Sequence, residues 1–266
     1  GQLIQLTELW LDNNRLESVP PQIGKLTQLT HLFIEGNRLS DLPVELGRLT
    51  HLEQLQLRHN KLTSFSPQLC QLTRLEGLNL SGNRITELPP EIGQLSKLEG
   101  LDLGYNQLRH VPQQVSRLRQ LQRLTLGGNP ELDFADIFRK LSKLNQLYTL
   151  NLEACQLDSL PPEIGLLTHL QKVNLNGNRL TSLPPEIAQS EWELELELED
   201  NRFNISEEKL ANTATYLNQL AGASSMLEVQ LRILHYFDQT DQIDQLMDQL
   251  SIEDLFKVLG YQSGVI

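Results

Sequence analysis

The chain has 266 residues, of which 39% are hydrophobic and 21% are charged, a composition typical of a globular protein with a sizeable core. Its formal net charge of −12 argues against binding to nucleic acid or to an anionic membrane surface. No apolar run is long enough for a membrane helix, and the two cysteines cannot form a disulfide framework or a metal site of the usual spacing.

An asparagine recurs every 23 residues through most of the chain, in the frame Leu-x-x-Leu-x-Leu-x-x-Asn-x-Leu. One copy runs from Leu29 to Leu39 and is followed by Leu42 and Pro43. The asparagines of the frame are Asn14, Asn37, Asn60, Asn83, Asn106, Asn129, Asn178 and Asn201. Cys155 occupies the same position after one longer step of 26 residues. Nine copies of one unit indicate a repeat architecture.

Each position of the frame predicts a local structure. Leu-x-Leu pairs such as Leu55 and Leu57 alternate with period 2, which predicts a short strand with one buried face. The asparagine follows at the turn, where its amide can satisfy backbone groups that would otherwise be buried unpaired. The Leu-Pro-Pro-Glu-Ile segment at 88–92 predicts a turn and a helical start, because proline suits the first helical position. One unit cannot close its own core, so neighbouring units must stack with parallel strands.

This motif resembles that of leucine-rich repeat proteins over residues 1–203, about three quarters of the chain. The 23-residue Leu-Pro-x-x-Ile form is similar to the intracellular subfamily found in Ras-pathway scaffold proteins, Roco proteins and bacterial repeat proteins. The resemblance implies an α/β fold, a horseshoe-shaped solenoid with a parallel sheet on its concave face. It also implies that this face binds other proteins.

Two departures from the frame carry predictions of their own. The extra residues before Cys155 predict a longer helix on the outer face. Phe134 and Phe138 of that helix are interpreted as core, with a lateral docking surface as the alternative. Cys70 occupies a position held by glycine in other repeats, so both cysteines are interpreted as small buried residues and not as nucleophiles.

Both ends of the chain depart from the repeat pattern. The opening residues align with the middle of a later repeat, which predicts that more chain precedes them. After Phe203 the frame stops, and a capping-box pattern at 204–207 begins a predicted small α-helical domain over residues 204–266. Residues 190–266 carry 4 basic and 15 acidic side chains, a net charge of −11. This end is interpreted as a solvated acidic cap, with a surface for a basic partner as the alternative.

Residues beside the strand leucines are predicted to face the concave side. Trp10 and Phe33 fall on neighbouring strands with Arg58 beyond them, and such side chains are enriched at interface hot spots. The alternative is that an upstream repeat packs on Trp10. The predicted partner-binding residues are Trp10, Phe33, Gln56, Arg58, His59, Asn79, Asp102, Tyr105 and Arg123. The glycines predicted to form a shallow trough in this face are Gly77, Gly100, Gly127 and Gly128.

Two charged features accompany this surface. The last predicted strand carries a secondary acidic patch of Glu195, Glu197 and Glu199. The residue after each asparagine forms a basic stripe, interpreted as solvated and not as an anion site. The stripe consists of Arg15, Arg38, Lys61, Arg84, Arg179 and Arg202.

Signatures of catalysis are absent from the sequence, which has no His-Glu-x-x-His, Gly-x-Ser-x-Gly or Cys-x-x-Cys motif. We therefore predict no catalytic residue, metal or cofactor, and a non-enzymatic module that binds a protein partner in intracellular signalling or as a scaffold. The lack of disulfide caps favours the cytoplasm. The alternative function is the recognition arm of a larger signalling enzyme of the Roco GTPase type, or of a bacterial effector, whose catalytic part lies outside this chain.

Overall fold

A computed structural model describes residues 3–189 and 194–203. In these residues nine three-residue strands form one parallel sheet whose strand order follows the chain. The strands are β1 (Glu8–Trp10), β2 (His31–Phe33), β3 (Gln54–Gln56), β4 (Gly77–Asn79), β5 (Gly100–Asp102), β6 (Arg123–Thr125), β7 (Thr149–Asn151), β8 (Lys172–Asn174) and β9 (Glu195–Glu197). The predicted solenoid with a parallel sheet is confirmed. The helical domain predicted over residues 204–266 lies outside the described residues.

The register of the sheet follows the 23-residue period. Leu32 of β2 pairs with Leu55 of β3, and Leu78 of β4 pairs with Leu101 of β5. These middle residues of the strands are buried, whereas the first and third residues of each strand stay partly or fully exposed. The alternation therefore separates a leucine core from a polar face, the concave face of the solenoid.

The return segment of most repeats contains a single short 3-10 helix that packs on the 3-10 helix of the next repeat. These helices are Pro21–Lys25, Val44–Arg48, Pro67–Gln71, Pro90–Gln94, Gln113–Arg117, Pro162–Leu166 and Pro185–Gln189. Proline begins most of them because its fixed φ suits the first helical turn and its missing N–H is unpaired there in any case. The short helical return predicted from the Leu-Pro segment is confirmed.

The sixth repeat has an α-helix instead, α1 (Phe134–Leu141), at the place where the frame is lengthened. Asp133 caps it by accepting a hydrogen bond from the backbone N–H of Asp136 at 3.1 Å. Phe134 is 3% exposed and Phe138 is fully buried, with their ring centroids 6.2 Å apart. The interpretation of these two phenylalanines as core is confirmed, and the alternative of a docking surface is wrong.

The asparagines of the frame form a ladder along the solenoid, which is buried from Asn37 to Asn178. Asn106 is representative: its Nδ2 donates to the carbonyl of Leu80 in the previous repeat and to that of Leu103 in its own, both at 3.0 Å. Its Oδ1 accepts the backbone N–H of Ile85, also at 3.0 Å. Each amide thus satisfies the turn of its own repeat and ties it to the preceding one.

Cysteine replaces asparagine once in this ladder. Cys155 is buried, and its Sγ lies 3.6 Å from the carbonyl oxygens of Leu126 and Glu153. Burial raises the pKa of the Cys155 thiol to about 11 and that of the Cys70 thiol to about 12. Thiols that stay protonated at neutral pH are poor nucleophiles, so both cysteines are structural, as predicted.

Candidate functional site

Three rows of side chains cross the concave face. The first row holds the first residue of each strand, the second row holds the third residue, and the third row lies two positions further along the chain. The predicted site residues of the second row are the register neighbours Trp10, Phe33, Gln56, Asn79 and Asp102. Arg123 and Glu195 lie in the first row, Glu197 in the second, and Arg58 and Glu199 in the third.

An aromatic stack stands at the β1 end of these rows. The rings of Trp10 and Phe33 are parallel to within 20°, with centroids 4.0 Å apart. His31, in the first row, lies 6.1 Å from Phe33 with its ring inclined by 24°. Trp10 is 62% exposed, so one face of the indole rests on Phe33 and the other is open to solvent. The structure thus stacks the rings of the two aromatic residues that the sequence indicated, and it places the His31 ring beside them.

Polar side chains in the middle of the second row are held in place by the backbone. Asn79 Oδ1 accepts the backbone N–H of Ser81 at 3.0 Å, and Asp102 Oδ1 accepts that of Gly104 at 3.0 Å. Burial raises the pKa of Asp102, opposed in smaller measure by its hydrogen bonds and by the positive charge of Arg58. The bonds to the backbone therefore hold Asn79 and Asp102 in fixed positions in the middle of the predicted surface.

A left-handed residue follows the third row in every repeat. The residues with positive φ at this position are Asn13, Gly36, His59, Gly82, Tyr105, Gly128, Ala154, Gly177 and Asp200. Glycine and a larger residue alternate at this position from repeat to repeat. The side chain of the larger residue lies over the glycine that holds the same position in the next repeat. The His59 ring covers Gly82 and the Tyr105 ring covers Gly128. This pairing fixes His59 and Tyr105 along the edge of the concave face.

We expect the Gly128→Ala substitution to destabilise the chain more than Gly177→Ala. The two glycines have φ of +68° and +66°, so alanine pays the left-handed strain of about 1–2 kcal/mol at either position. An added Cβ at Gly128 would also lie 2.6 Å from Cδ1 of Tyr105, whereas at Gly177 the nearest atom is 3.7 Å away. The excess should be about 1–3 kcal/mol in the free energy of unfolding, measured by urea denaturation.

A second substitution identifies the origin of this excess. In the Gly128→Ala background, Tyr105→Ala gives the same pair as Ala154 beside the Gly177→Ala substitution, so it should recover part of the lost stability. Equal destabilisation by Gly128→Ala and Gly177→Ala would contradict the ring contact as its cause.

Two further site residues have partners that the sequence did not predict. Tyr105 Oη donates to Glu153 Oε1 at 3.0 Å, and Arg123 Nη1 donates to Tyr148 Oη at 3.1 Å. Burial and the bond to Glu153 raise the pKa of Tyr105. Glu153 and Tyr148 come from the repeat that follows the lengthened one. Counting in steps of 23 residues therefore does not place Glu153 beside Tyr105, or Tyr148 beside Arg123.

The secondary acidic patch is partly neutralised. Lys172 Nζ lies 2.8 Å from Glu195 Oε1 and 2.5 Å from Glu197 Oε1, and these bonds raise the pKa of the lysine. Glu199 is exposed, and its backbone N–H donates to Asn176 Oδ1 at 2.8 Å. The patch therefore presents less negative charge than the three glutamates alone suggest.

The predicted glycine trough is wrong at two of its four positions. The Gln54 side chain lies over Gly77, and the Tyr105 ring lies over Gly128. At Gly100 the nearest side-chain atom is 3.8 Å from the position of a Cβ, so this part of the face remains shallow. Long side chains of neighbouring repeats fill the space that small residues leave.

Groups suited to metal binding or membrane insertion are missing from the described residues. In the ranges 3–189 and 194–203, no group of three His, Cys, Asp or Glu side chains could hold a metal ion. No helix in that part of the chain has the length and hydrophobicity to cross a bilayer. The basic stripe is exposed throughout, as predicted.

Comparison with protein families identifies the repeats. The family described as leucine rich repeat matches residues 4–62 and 73–130, and related leucine-rich repeat families match residues 50–92 and 169–190. Together these matches cover more than half of the chain. The chain belongs to the leucine-rich repeat family. Members of this family are typically non-catalytic interaction modules. No curated protein sequence matches this repeat protein significantly.

Solved structures with the same fold include repeat proteins of bacteria and plants. A leucine-rich repeat protein of Leptospira interrogans is 34% identical with a TM-score of 0.70, over 81% of this chain and 54% of that one. Internalin C2 of Listeria monocytogenes is 25% identical with a TM-score of 0.61, over 73% and 82%. The plant peptide hormone receptor RGFR1, solved in complex with RGF2, is 28% identical with a TM-score of 0.52, over 74% and 40%.

This leucine-rich repeat chain thus spans about half the length of the Leptospira protein and less than half of the plant receptor.

Proposed function

We propose that this leucine-rich repeat chain binds a protein partner on its concave face, with most of the binding energy at the end that carries Trp10, Phe33 and Arg58. The aromatic stack carries this proposal. An indole that is 62% exposed and supported from beneath by Phe33 is costly to leave in water, and it is rigid enough to enter a partner's pocket without much loss of entropy.

The remaining predicted residues extend the surface along the sheet. Gln56, Asn79 and Asp102 continue the second row from the aromatic stack, while His59, Tyr105 and Arg123 flank it. An aromatic anchor beside fixed polar groups is typical of protein interfaces. The peptide complex of RGFR1, a related repeat protein, supports a peptide or protein as the class of ligand. Glu195, Glu197 and Glu199 are proposed as a weaker contact for basic residues of the partner.

We place this activity in intracellular signalling or scaffolding, in the cytoplasm. Cys70 and Cys155 are free and buried, and a reducing compartment suits two unpaired thiols. The division into a repeat domain (1–203) and an acidic helical domain (204–266) is part of the same proposal. The role of recognition arm for a larger enzyme stays a hypothesis, since no described residue favours it.

Site-specific photo-crosslinking in cells that express the protein tests this function. A photoreactive phenylalanine analogue replaces either Gln56 or Thr125 on the concave face, or else Gln68 or Gln94 on the outer 3-10 helices. We expect both concave positions to crosslink the same protein, because one continuous row joins them. The outer positions are the matched control and should give no such product. Crosslinks from the outer positions alone, or from neither set, would overturn the proposal.

A further inference from the structure

The open face of Trp10 is bordered by carboxylates. The indole Nε1–H donates to Glu8 Oε2 at 3.3 Å, so a negative charge stands at the edge of the ring. Asp12 lies two residues beyond Trp10 in the third row, and its Oδ1 accepts the backbone N–H of Glu35 at 2.7 Å. The Glu35 carboxylate belongs to the next strand of the same row. One carboxylate therefore borders the exposed indole, and two more lie in the adjacent row of the same face.

These carboxylates form no ion pair with a lysine or arginine of the described repeats. In residues 3–189 and 194–203, no lysine or arginine lies within 4.0 Å of the oxygens of Glu8, Asp12 or Glu35. Arg58 follows Glu35 in the third row, one repeat further along, but forms no ion pair with it. The β1 end of the concave face therefore combines an exposed indole with carboxylates that form no ion pair in the described residues.

We infer that the Trp10 indole, with Glu8, Asp12 and Glu35, receives an arginine side chain of the protein partner. This inference rests on the proposed function, because the arginine belongs to the partner that docks on the concave face. A guanidinium is attracted to the face of an indole, and its planar fork can donate at the same time to carboxylates beside the ring. Lysine offers a point charge that is more strongly hydrated and does not stack, so arginine fits this arrangement better.

The fluorescence of Trp10 provides a direct test in the full chain. The sequence contains two tryptophans, so a Trp192→Phe variant leaves Trp10 as the single reporter. The probes are an acetylated, amidated tri-arginine peptide, its lysine counterpart and its citrulline counterpart, which keeps the shape of arginine but lacks its charge. We expect saturable quenching by the arginine peptide, roughly threefold or more weaker binding of the lysine peptide, and no saturable change with citrulline.

Matched variants separate the site from a general effect of negative charge. Glu8→Gln removes the carboxylate at the indole edge and should weaken arginine binding roughly threefold or more. Glu45→Gln removes one carboxylate from an outer 3-10 helix and should leave the affinity unchanged. Equal quenching by the arginine and citrulline peptides, or equal effects of the two variants, would overturn the inference.

The state of Trp10 without peptide is a second criterion. We expect Trp10 to emit as an exposed indole and to be readily quenched by acrylamide. Blue-shifted emission that resists acrylamide would mean that another part of the chain or a second copy covers the ring. The two proposals also fail separately. Concave crosslinks without a preference for arginine would overturn this inference alone, whereas arginine binding without concave crosslinks would overturn the proposed function.

Discussion

Replacing Asn106 by alanine should lower the free energy of unfolding by at least about 2 kcal/mol, a large part of the stability of a typical domain. The Asn106 amide donates to Leu80 and Leu103 and accepts from Ile85, all at 3.0 Å and all buried. Alanine leaves the buried backbone N–H of Ile85 unpaired, which costs about 1–3 kcal/mol. The carbonyls of Leu80 and Leu103 each lose one hydrogen bond, worth about 0.5–1.5 kcal/mol, but keep the amides of Asn83 and Asn129 as donors. The measurement is the urea denaturation curve, whose midpoint should fall by about 1 M or more.

Asn14→Ala is the matched control, because Asn14 holds the same position of the frame in the first described repeat. Its Nδ2 donates to the carbonyls of Leu11 and Asp12 at 3.0 and 3.1 Å, but Asn14 is exposed and water can replace it. We expect a loss below about 1 kcal/mol. Similar losses for Asn14→Ala and Asn106→Ala would show that the ladder does not stabilise the stack. Asn106→Cys puts a thiol in the ladder, as Cys155 does in its own repeat, and its loss should fall between the two.

Much of the fold was predictable because each repeat solves the same packing problem with the same residues. A leucine at every second strand position predicts the buried side of the sheet, and the asparagine predicts the bonded turn. The longer helix α1 was predictable as well, since Phe134 and Phe138 follow a capping residue at helical spacing. The buried position of Cys155 follows from its place in the frame. Local periodicity therefore predicted the core.

The sequence predicted which residues lie on the concave face, but not which side chains contact one another there. Counting along the frame placed Trp10 beside Phe33, but it could not show whether long side chains would bend over their neighbours. Gln54 over Gly77 fills part of the expected trough, and Lys172 between Glu195 and Glu197 neutralises part of the expected acidic patch. Such contacts depend on side-chain rotamers and on charges from adjacent repeats, which periodicity does not encode.

The alternation of left-handed residues could have been found from the sequence. Glycine occupies every second copy of that position, at Gly36, Gly82, Gly128 and Gly177. A glycine in every second repeat indicates that the side chain at this position of the preceding repeat occupies the space where the glycine has no Cβ. His59 and Tyr105 are two of these intervening residues, so a regular feature of the stack positions two of the proposed binding residues.

The affinity of the Trp10→Ala, Phe33→Ala double variant for the crosslinked partner tests the central claim, that binding energy is concentrated in the aromatic stack. We expect the dissociation constant, measured by titration calorimetry, to rise more than about tenfold, which corresponds to about 1.4 kcal/mol. The melting temperature should fall by less than about 4 °C, because Trp10 is largely exposed and packs on one neighbouring ring.

Val44→Ala is the control for this measurement, since Val44 is 53% exposed on an outer 3-10 helix and should not affect binding. A tenfold loss of affinity in the folded double variant, with none in Val44→Ala, is the result predicted for a concave docking surface. An unchanged dissociation constant in a folded Trp10→Ala, Phe33→Ala protein would contradict it.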